Sequence, residues 1–429
     1  MTQRRSFIKK SLSTAAAFSL PSLTIKAISE DVSDALLALN KLSPLQAAQD
    51  EELWARMAQA YTASPILINL NNAGVSPQPK VVQDAVDRFY RFSNEAPSQY
   101  MWHVLDKGRE LMRSKLADFA GTSTEVLAVN RNTTEGLTTI SQGLTLNKGD
   151  EIVMARQDYP HMILSWKQRE MREGIKINWI NFKFPIEDDS FIINAFIEAT
   201  TPKTKIWHIT HMINWTGQIL PVKKLCEEAR KRNIISIVDG AQTFGQLDFK
   251  ISDINPDYFA TSLHKWLCAP FGTGLMYVKK ENIAGLWPLF SDDNPQSANI
   301  RKFEAMGTRS SPSELAISQA VDFHNAIGSK RKEERLRFLK NYWCEKISQH
   351  PRIKIHTSLK PEFACAIGNF SVEGKEHQKI VAHLLVDHQV HTVVMDWENV
   401  NGIRVSPHVY TSTKDLDHFV EAIWKIASS

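Results

Sequence analysis

The sequence predicts an α/β fold, in which a mainly parallel sheet is covered by helices on both faces and joined to a smaller α+β domain at the C-terminal end. Three observations carry this expectation. Apolar runs of strand length alternate with amphipathic helical stretches through the middle of the chain. One of those runs, Ile234-Ile-Ser-Ile-Val238, is almost continuously apolar, as a strand buried on both faces must be. From Pro312 onward the texture changes to long charged helices and short strands.

In chain order, a strand-like run at 126–129 precedes predicted strands at 151–155, 176–180, 205–210, 234–238, 257–261 and 274–278. Between them, helix 221–232 begins with Pro221 in its first turn and sets Leu225 and Ala229 on one face. Polar residues directly after such strands fall at the carboxyl edge of the sheet, where α/β folds bind ligands. In the second domain, strands are expected near Ile353, over 366–372 and over 402–405, with helices over 329–350, near Lys375 and near Lys414. The run Lys330-Arg-Lys-Glu-Glu-Arg335 reads as a solvated helix face of alternating charge. The chain divides into a helical lead-in, 28–71, packing on the small domain, a large domain, 72–300, and a small α+β domain, 301–429.

Residues 1–27 read differently. They hold Arg4, Arg5, Lys9, Lys10 and Lys26 and no acidic residue, followed by a short Ala-, Leu- and Ser-rich run broken by Pro21. This is the layout of an export signal, and Arg4-Arg5-Ser6-Phe7-Ile8-Lys9 resembles the twin-arginine type, which implies a periplasmic protein. The apolar run is far short of the ~20 residues of a spanning helix. The 429 residues carry 51 Lys+Arg against 47 Asp+Glu, a net +4, and cleavage after Ala27 would leave −1. The basicity thus belongs to the signal and gives no reason to expect nucleic acid or, after cleavage, a membrane as partner. Four cysteines without a C-x-x-C pair make a disulfide scaffold or zinc site unexpected. His377, His383, His388 and His391 lack the i, i+4 spacing of a helical metal pair, so no metal is expected.

The chemistry concentrates between His208 and Gly274. There the chain reads His211-Met-Ile-Asn214-Trp-Thr-Gly217, then Val238-Asp239-Gly-Ala-Gln242, then Ser262-Leu-His264-Lys265-Trp266, then Gly272-Thr-Gly274. Upstream, Arg131-Asn-Thr133-Thr134-Glu-Gly136 follows a strand and opens a helix, so its amides and hydroxyls point at an anion. Gln157-Asp-Tyr159-Pro-His161 follows strand 151–155, and Gly402-Ile-Arg404-Val places an arginine in an apolar strand, where burial without an anion would be costly. A lysine flanked by Leu263, Trp266 and Leu267 is enclosed, which lowers its pKa toward a free amine.

In order and spacing these motifs resemble the fold-type I, class V pyridoxal-phosphate enzymes, in the branch of isopenicillin N epimerase close to cysteine desulfurases and selenocysteine lyases. The resemblance runs from Leu70-Asn-Asn-Ala-Gly74 to the last helix. It implies a mainly parallel, seven-stranded large-domain sheet and pyridoxal 5'-phosphate as cofactor. Lys265 would hold the cofactor as a Schiff base, and Asp239 would pair with the pyridinium nitrogen so that the ring acts as an electron sink. Asn214 and Gln242 would lie near its phenolic oxygen. Thr133, Thr134, Ser262 and His264 would bind its phosphate, and Tyr159, with His161 in reserve, would stack on its ring. Thr308 would reach the phosphate of a neighbouring subunit, which implies a homodimer with shared active sites. Arg404 would grip the α-carboxylate of an amino-acid substrate.

The reaction implied is removal of the Cα proton by Lys265, with Asp239 and Tyr159 the other catalytic residues. Epimerisation or racemisation is the first reading, with β-elimination at a C–S bond or transamination as alternatives and a non-catalytic binding protein as the competing class. Inversion needs a second acid or base, and His103, Tyr100, Tyr159 and His161 are candidates. Cysteine desulfurases carry a nucleophilic cysteine shortly before the carboxylate arginine. Here 387–404 contains none, Cys365 lies too far upstream, and Cys268 reads as a small packed side chain.

Overall fold

A computed structural model describes residues 29–429; the signal segment and its twin-arginine motif lie outside the described residues. The large sheet has seven strands: β1 (Leu127–Asn130), β2 (Glu151–Ala155), β3 (Lys176–Ile180), β4 (Thr204–Thr210), β5 (Ile235–Asp239), β6 (Tyr258–Ser262) and β7 (Gly274–Val278). Their spatial order is β1-β7-β6-β5-β4-β2-β3. Strand β7 runs antiparallel to both neighbours, and the other four pairings are parallel.

Alternation along the strands shows why the sheet is covered on both faces. Val153, Trp207, Ile209, Val238 and Phe259 enter one core, and Ile152, Met154, Ile206, Ile237 and Ala260 enter another. The first core takes Met112 and Leu116 from α1 (Asp106–Ala120); the second takes Leu137 and Ile140 from α2 (Thr133–Gly143) and Met162 and Trp166 from α3 (Pro160–Glu173). Leu225 and Ala229 of α4 (Val222–Lys231) join the first core, as their shared face requires. By the same alternation His208, Thr210, Asp239 and Ser262 point to the face covered by α2 and α3.

The small domain packs α5 (Ser329–Ile347) and α6 (Thr413–Ser428) on an antiparallel sheet of β8 (Ile353–Ile355), β9 (Gly368–Val372), β10 (Val393–Trp397) and β11 (Val400–Val405), in the order β10-β11-β9-β8. Trp343, Phe370 and Phe419 meet in its core, ring centroids 5.8–6.0 Å apart. Short helices over Glu30–Leu39, Pro44–Gln49 and Glu51–Ala58 carry Val32, Ala47, Leu53, Trp54 and Met57 into the first core.

One expectation is corrected. The charged run at the start of α5 is not a solvated face: Lys332, Glu333 and Arg335 are buried. Helix α5 lies between the lead-in helices and the loop bearing Lys265, so its charged groups reach inward to backbone. Arg335 donates to the Ala48 and Thr411 carbonyls and pairs with Glu51, Glu333 accepts from the Asp248 N–H, and Lys332 donates to the Trp266 carbonyl. Such partners meet the requirement that a buried charge be hydrogen-bonded.

Candidate active site

Loops at the carboxyl ends of β2, β4, β5 and β6, with the start of α2, converge on a cavity of about 460 Å³. Of the predicted residues, Thr133, Thr134, Tyr159, His161, Asn214, Asp239, Gln242, Ser262, His264, Lys265 and Arg404 all line it. Thr308 does not: it is exposed on the loop after the turn Ile300–Glu304. Nor do Tyr100, stacked on Phe92 at 4.4 Å, or the exposed His103.

Lys265 sits on a loop made rigid by its neighbours. Trp266 is fully buried, its indole N–H donates to Gln242 Oε1 at 2.9 Å, and its ring stacks on His408 at 5.7 Å. Gln242 in turn donates to the Ala73 carbonyl at 3.0 Å, so both ends of that amide are engaged by protein. The Lys265 amine itself has no hydrogen bond or ion pair among the described residues. Burial, helped by Arg404 and opposed by Asp239, brings it down to about 8.

Asp239 ends β5 and is buried; Oδ1 accepts from the Ala241 N–H at 2.8 Å. Burial first, and the nearby Asp158 second, raise its carboxyl to about 6. The motif from His211 to Gly217 is tied back to the same strand by the His211 N–H on the Asp239 carbonyl. Gly217 has φ +79°, and a Cβ there would strike the Ile367 carbonyl oxygen, so only glycine lets this loop close on the small domain. That closure carries Asn214 and Trp215 to the cavity wall.

The anion end is built at α2. Asn132 caps the helix through Oδ1 on the Glu135 N–H, while Thr133 joins Ser262 through both its N–H (2.9 Å) and its hydroxyl (2.7 Å). His264 Nδ1 meets the Thr273 carbonyl at 3.1 Å, which can only accept, so Nδ1 bears the hydrogen and Nε2 is left without a protein partner. Opposite lies Arg404, buried, with Nη1 on the Asn214 carbonyl at 3.0 Å and Nη2 on Asn71 Oδ1 at 2.8 Å. It has no carboxylate partner among the described residues, and burial lowers it to about 10.

The donor set fits pyridoxal phosphate. An unengaged amine, an adjacent buried carboxyl group and a helix N-terminus with two hydroxyls face one cavity. Two buried polar atoms there, Asn214 Oδ1 and Arg404 Nε, lack any protein partner. Sequence reading had passed over several contributors. Asn71, which holds Arg404, and Asp158, bonded to Thr210, lie inside quoted motifs beside residues that drew the attention, while of the lining residues Trp215 follows Asn214 and Met395 comes from β10, a short strand interrupted by Asp396.

Comparison with known proteins agrees with this geometry. The family model "Aminotransferase class-V" matches residues 68–419. Isopenicillin N epimerase of Amycolatopsis lactamdurans is 27% identical over 395 residues, 87% of this chain and 98% of that one. A probable cysteine desulfurase of Halalkalibacterium halodurans is 26% identical, covering 89% and 98%. Among solved structures, an apo cysteine desulfurase from Thermococcus onnurineus superposes with TM-score 0.77 at 22% identity, covering 86% and 97%. The cystine C–S lyase C-DES gives 0.74 at 20%, covering 83% and 96%. With a matching model over most of its length and a cavity suited to the cofactor, the chain belongs to the class-V aminotransferase family of pyridoxal-phosphate enzymes.

Proposed function

We propose that the protein acts at the Cα of an amino acid as an isopenicillin N epimerase-like epimerase or racemase. The observation that carries this is the pairing, in one cavity, of an unengaged Lys265 amine with a buried Arg404 that lacks a carboxylate. Arg404 orients the substrate by its α-carboxylate, held in aim by Asn71 and the Asn214 carbonyl. When bound, pyridoxal phosphate supplies an electron sink that makes the Cα proton acidic. Thr133, Thr134, Ser262 and His264 would bind its phosphate, Asn214 and Gln242 would lie near its phenolic oxygen, Asp239 would hold the proton at its ring nitrogen, and Tyr159 would cover its ring. Lys265, with an amine brought down to about 8, takes the Cα proton as general base.

Inversion needs a proton donor on the other face. Tyr159 and His161 are the candidates that line the cavity, ring centroids 5.4 Å apart, which favours them over Tyr100 and His103. Persulfide chemistry is disfavoured, because all four cysteines are buried and none lines the cavity. Burial pushes the Cys365 thiol up to about 12. We further propose export by the twin-arginine route to the periplasm, and a homodimer in which Thr308, exposed on its loop, reaches the neighbouring subunit's site.

The test is product analysis with a panel of L-amino acids. Exchange of the α-proton with D-amino acid product supports the proposal. Pyruvate release would assign β-elimination instead, and dependence on a keto acid would assign transamination.

A further inference from the structure

Asp158 precedes Tyr159 and is completely buried behind the site. Its Oδ1 accepts from the Tyr159 N–H at 2.6 Å and its Oδ2 meets the Thr210 hydroxyl at 2.5 Å. His208 Nε2 stands 3.7 Å from the same Oδ2. The tautomer follows from Trp166, whose indole N–H can only donate and meets His208 Nδ1 at 3.2 Å. Nδ1 is therefore bare, and Nε2, buried and without a hydrogen-bond partner, carries the hydrogen. Burial brings this imidazole down to about 4, so it is neutral.

A second carboxyl group is close. Thr210, which bonds Asp158, is the register partner of Asp239 on the adjoining strand, and the two strands lie ~4.8 Å apart. The titratable groups around Asp158 are Asp239 from β5, His208 from β4, Tyr159 beside it and, beyond Asp239, Lys265. No arginine or lysine pairs with Asp158 among the described residues. Two ionised carboxyl groups so placed in a dry site repel, and the pair keeps a proton.

We propose that Asp158 is a proton-holding positioning residue: on the acid side of neutrality it remains a carboxylic acid, so the Asp158–Asp239 pair bears one negative charge and that charge stays on Asp239. This rests on the reading that Asp239 meets the ring nitrogen of the cofactor. Burial raises both carboxyl groups, but only Asp239 lines the cavity and faces the Lys265 cation, whereas no cation stands by Asp158, so the negative charge falls on Asp239. No atom need move, because a hydroxyl both donates and accepts: the acid O–H on Oδ2 donates to Thr210 Oγ1 along the same line. Above about pH 7 Asp158 ionises, and the second charge strengthens the hold on the ring proton.

The experiment is infrared and visible spectroscopy of the full chain loaded with pyridoxal phosphate. Glu314 is also a raised acid, at about 7, so the infrared readout is the band that a substitution removes. Asp158→Asn, whose amide oxygen accepts from the Tyr159 N–H while its Nδ2 donates to Thr210 Oγ1 as the acid O–H does, is expected to lose one carboxylic-acid C=O band below pH 7. The visible band of the bound cofactor is expected to show a step near pH 7 in the wild type that is absent in Asp158→Asn. A merely structural Asp158 would change stability and move neither spectrum. No band lost, or a step that persists in the variant, overturns the proposal. If Asp158→Asn does not fold, Thr210→Val decides: it keeps the acid and removes its partner, so the band shifts to higher frequency, and an unshifted band overturns the proposal. The acid band belongs to the protein with or without cofactor. A wild type that has the band but does not bind pyridoxal phosphate would therefore undo the proposed function, not this proton.

Discussion

Replacing Arg404 by methionine tests what the buried cation is for. The guanidinium is 6% exposed, donates only to the Asn214 carbonyl and Asn71 Oδ1, and leaves Nε unpaired. In Arg404→Met those two acceptors lose their donors, at about 1–3 kcal/mol each. Removing a buried charge with no counter-ion has the opposite sign and comparable size, so the denaturation midpoint should move little. Substrate binding should respond far more. Two charge-assisted hydrogen bonds to a carboxylate, at about 1.5–3 kcal/mol each, sum to about 3–6 kcal/mol, or roughly 10²–10⁴ in affinity. The assay titrates the pyridoxal-phosphate-loaded protein with amino acids and with their α-carboxamides, following the visible spectrum. The variant should lose that factor for the acids and almost nothing for the carboxamides. A variant that still prefers acid to carboxamide as strongly as the wild type would refute the reasoning.

Other expectations follow from the same geometry. Capture of the cofactor by apoprotein requires the unprotonated Lys265 amine, so its rate should rise with pH and level off above about 8, whereas an ordinary lysine would not level off until well beyond pH 10; stopped-flow absorbance reads this. Gly217→Ala combines a left-handed backbone with a collision on Ile367, and should cost at least about 1–2 kcal/mol for the backbone alone, read as a lower denaturation midpoint. Trp266→Ala empties a fully buried site and should cost about 3–5 kcal/mol while loosening cofactor retention, measured by dialysis.

Much of this was legible in the sequence. Strands 151–155, 176–180 and 274–278 were placed to the residue, because runs such as Glu151–Ala155, buried throughout, announce themselves. The antiparallel seating of β7 was not visible, since an apolar run does not encode direction. Strand β10 was missed because its residues are mostly half-buried and include Asp396. Helix α5 misled because its charged residues satisfy carbonyls distant in sequence, such as Ala48 and Trp266. Lys265, Asp239 and Arg404 were found through motif spacing, and the structure brings them to one cavity. Asp158 escaped notice because its burial depends on Thr210 and on the proximity of Asp239, neither of which its neighbours in sequence reveal.

The central claim is that Lys265 is the residue that holds pyridoxal phosphate in this cavity. Borohydride reduction of the loaded protein followed by peptide mass mapping tests it most directly. The account predicts a phosphopyridoxyl group on Lys265 and loss of the visible band in Lys265→Ala. A label on any other lysine, or an unchanged band in that variant, would contradict it.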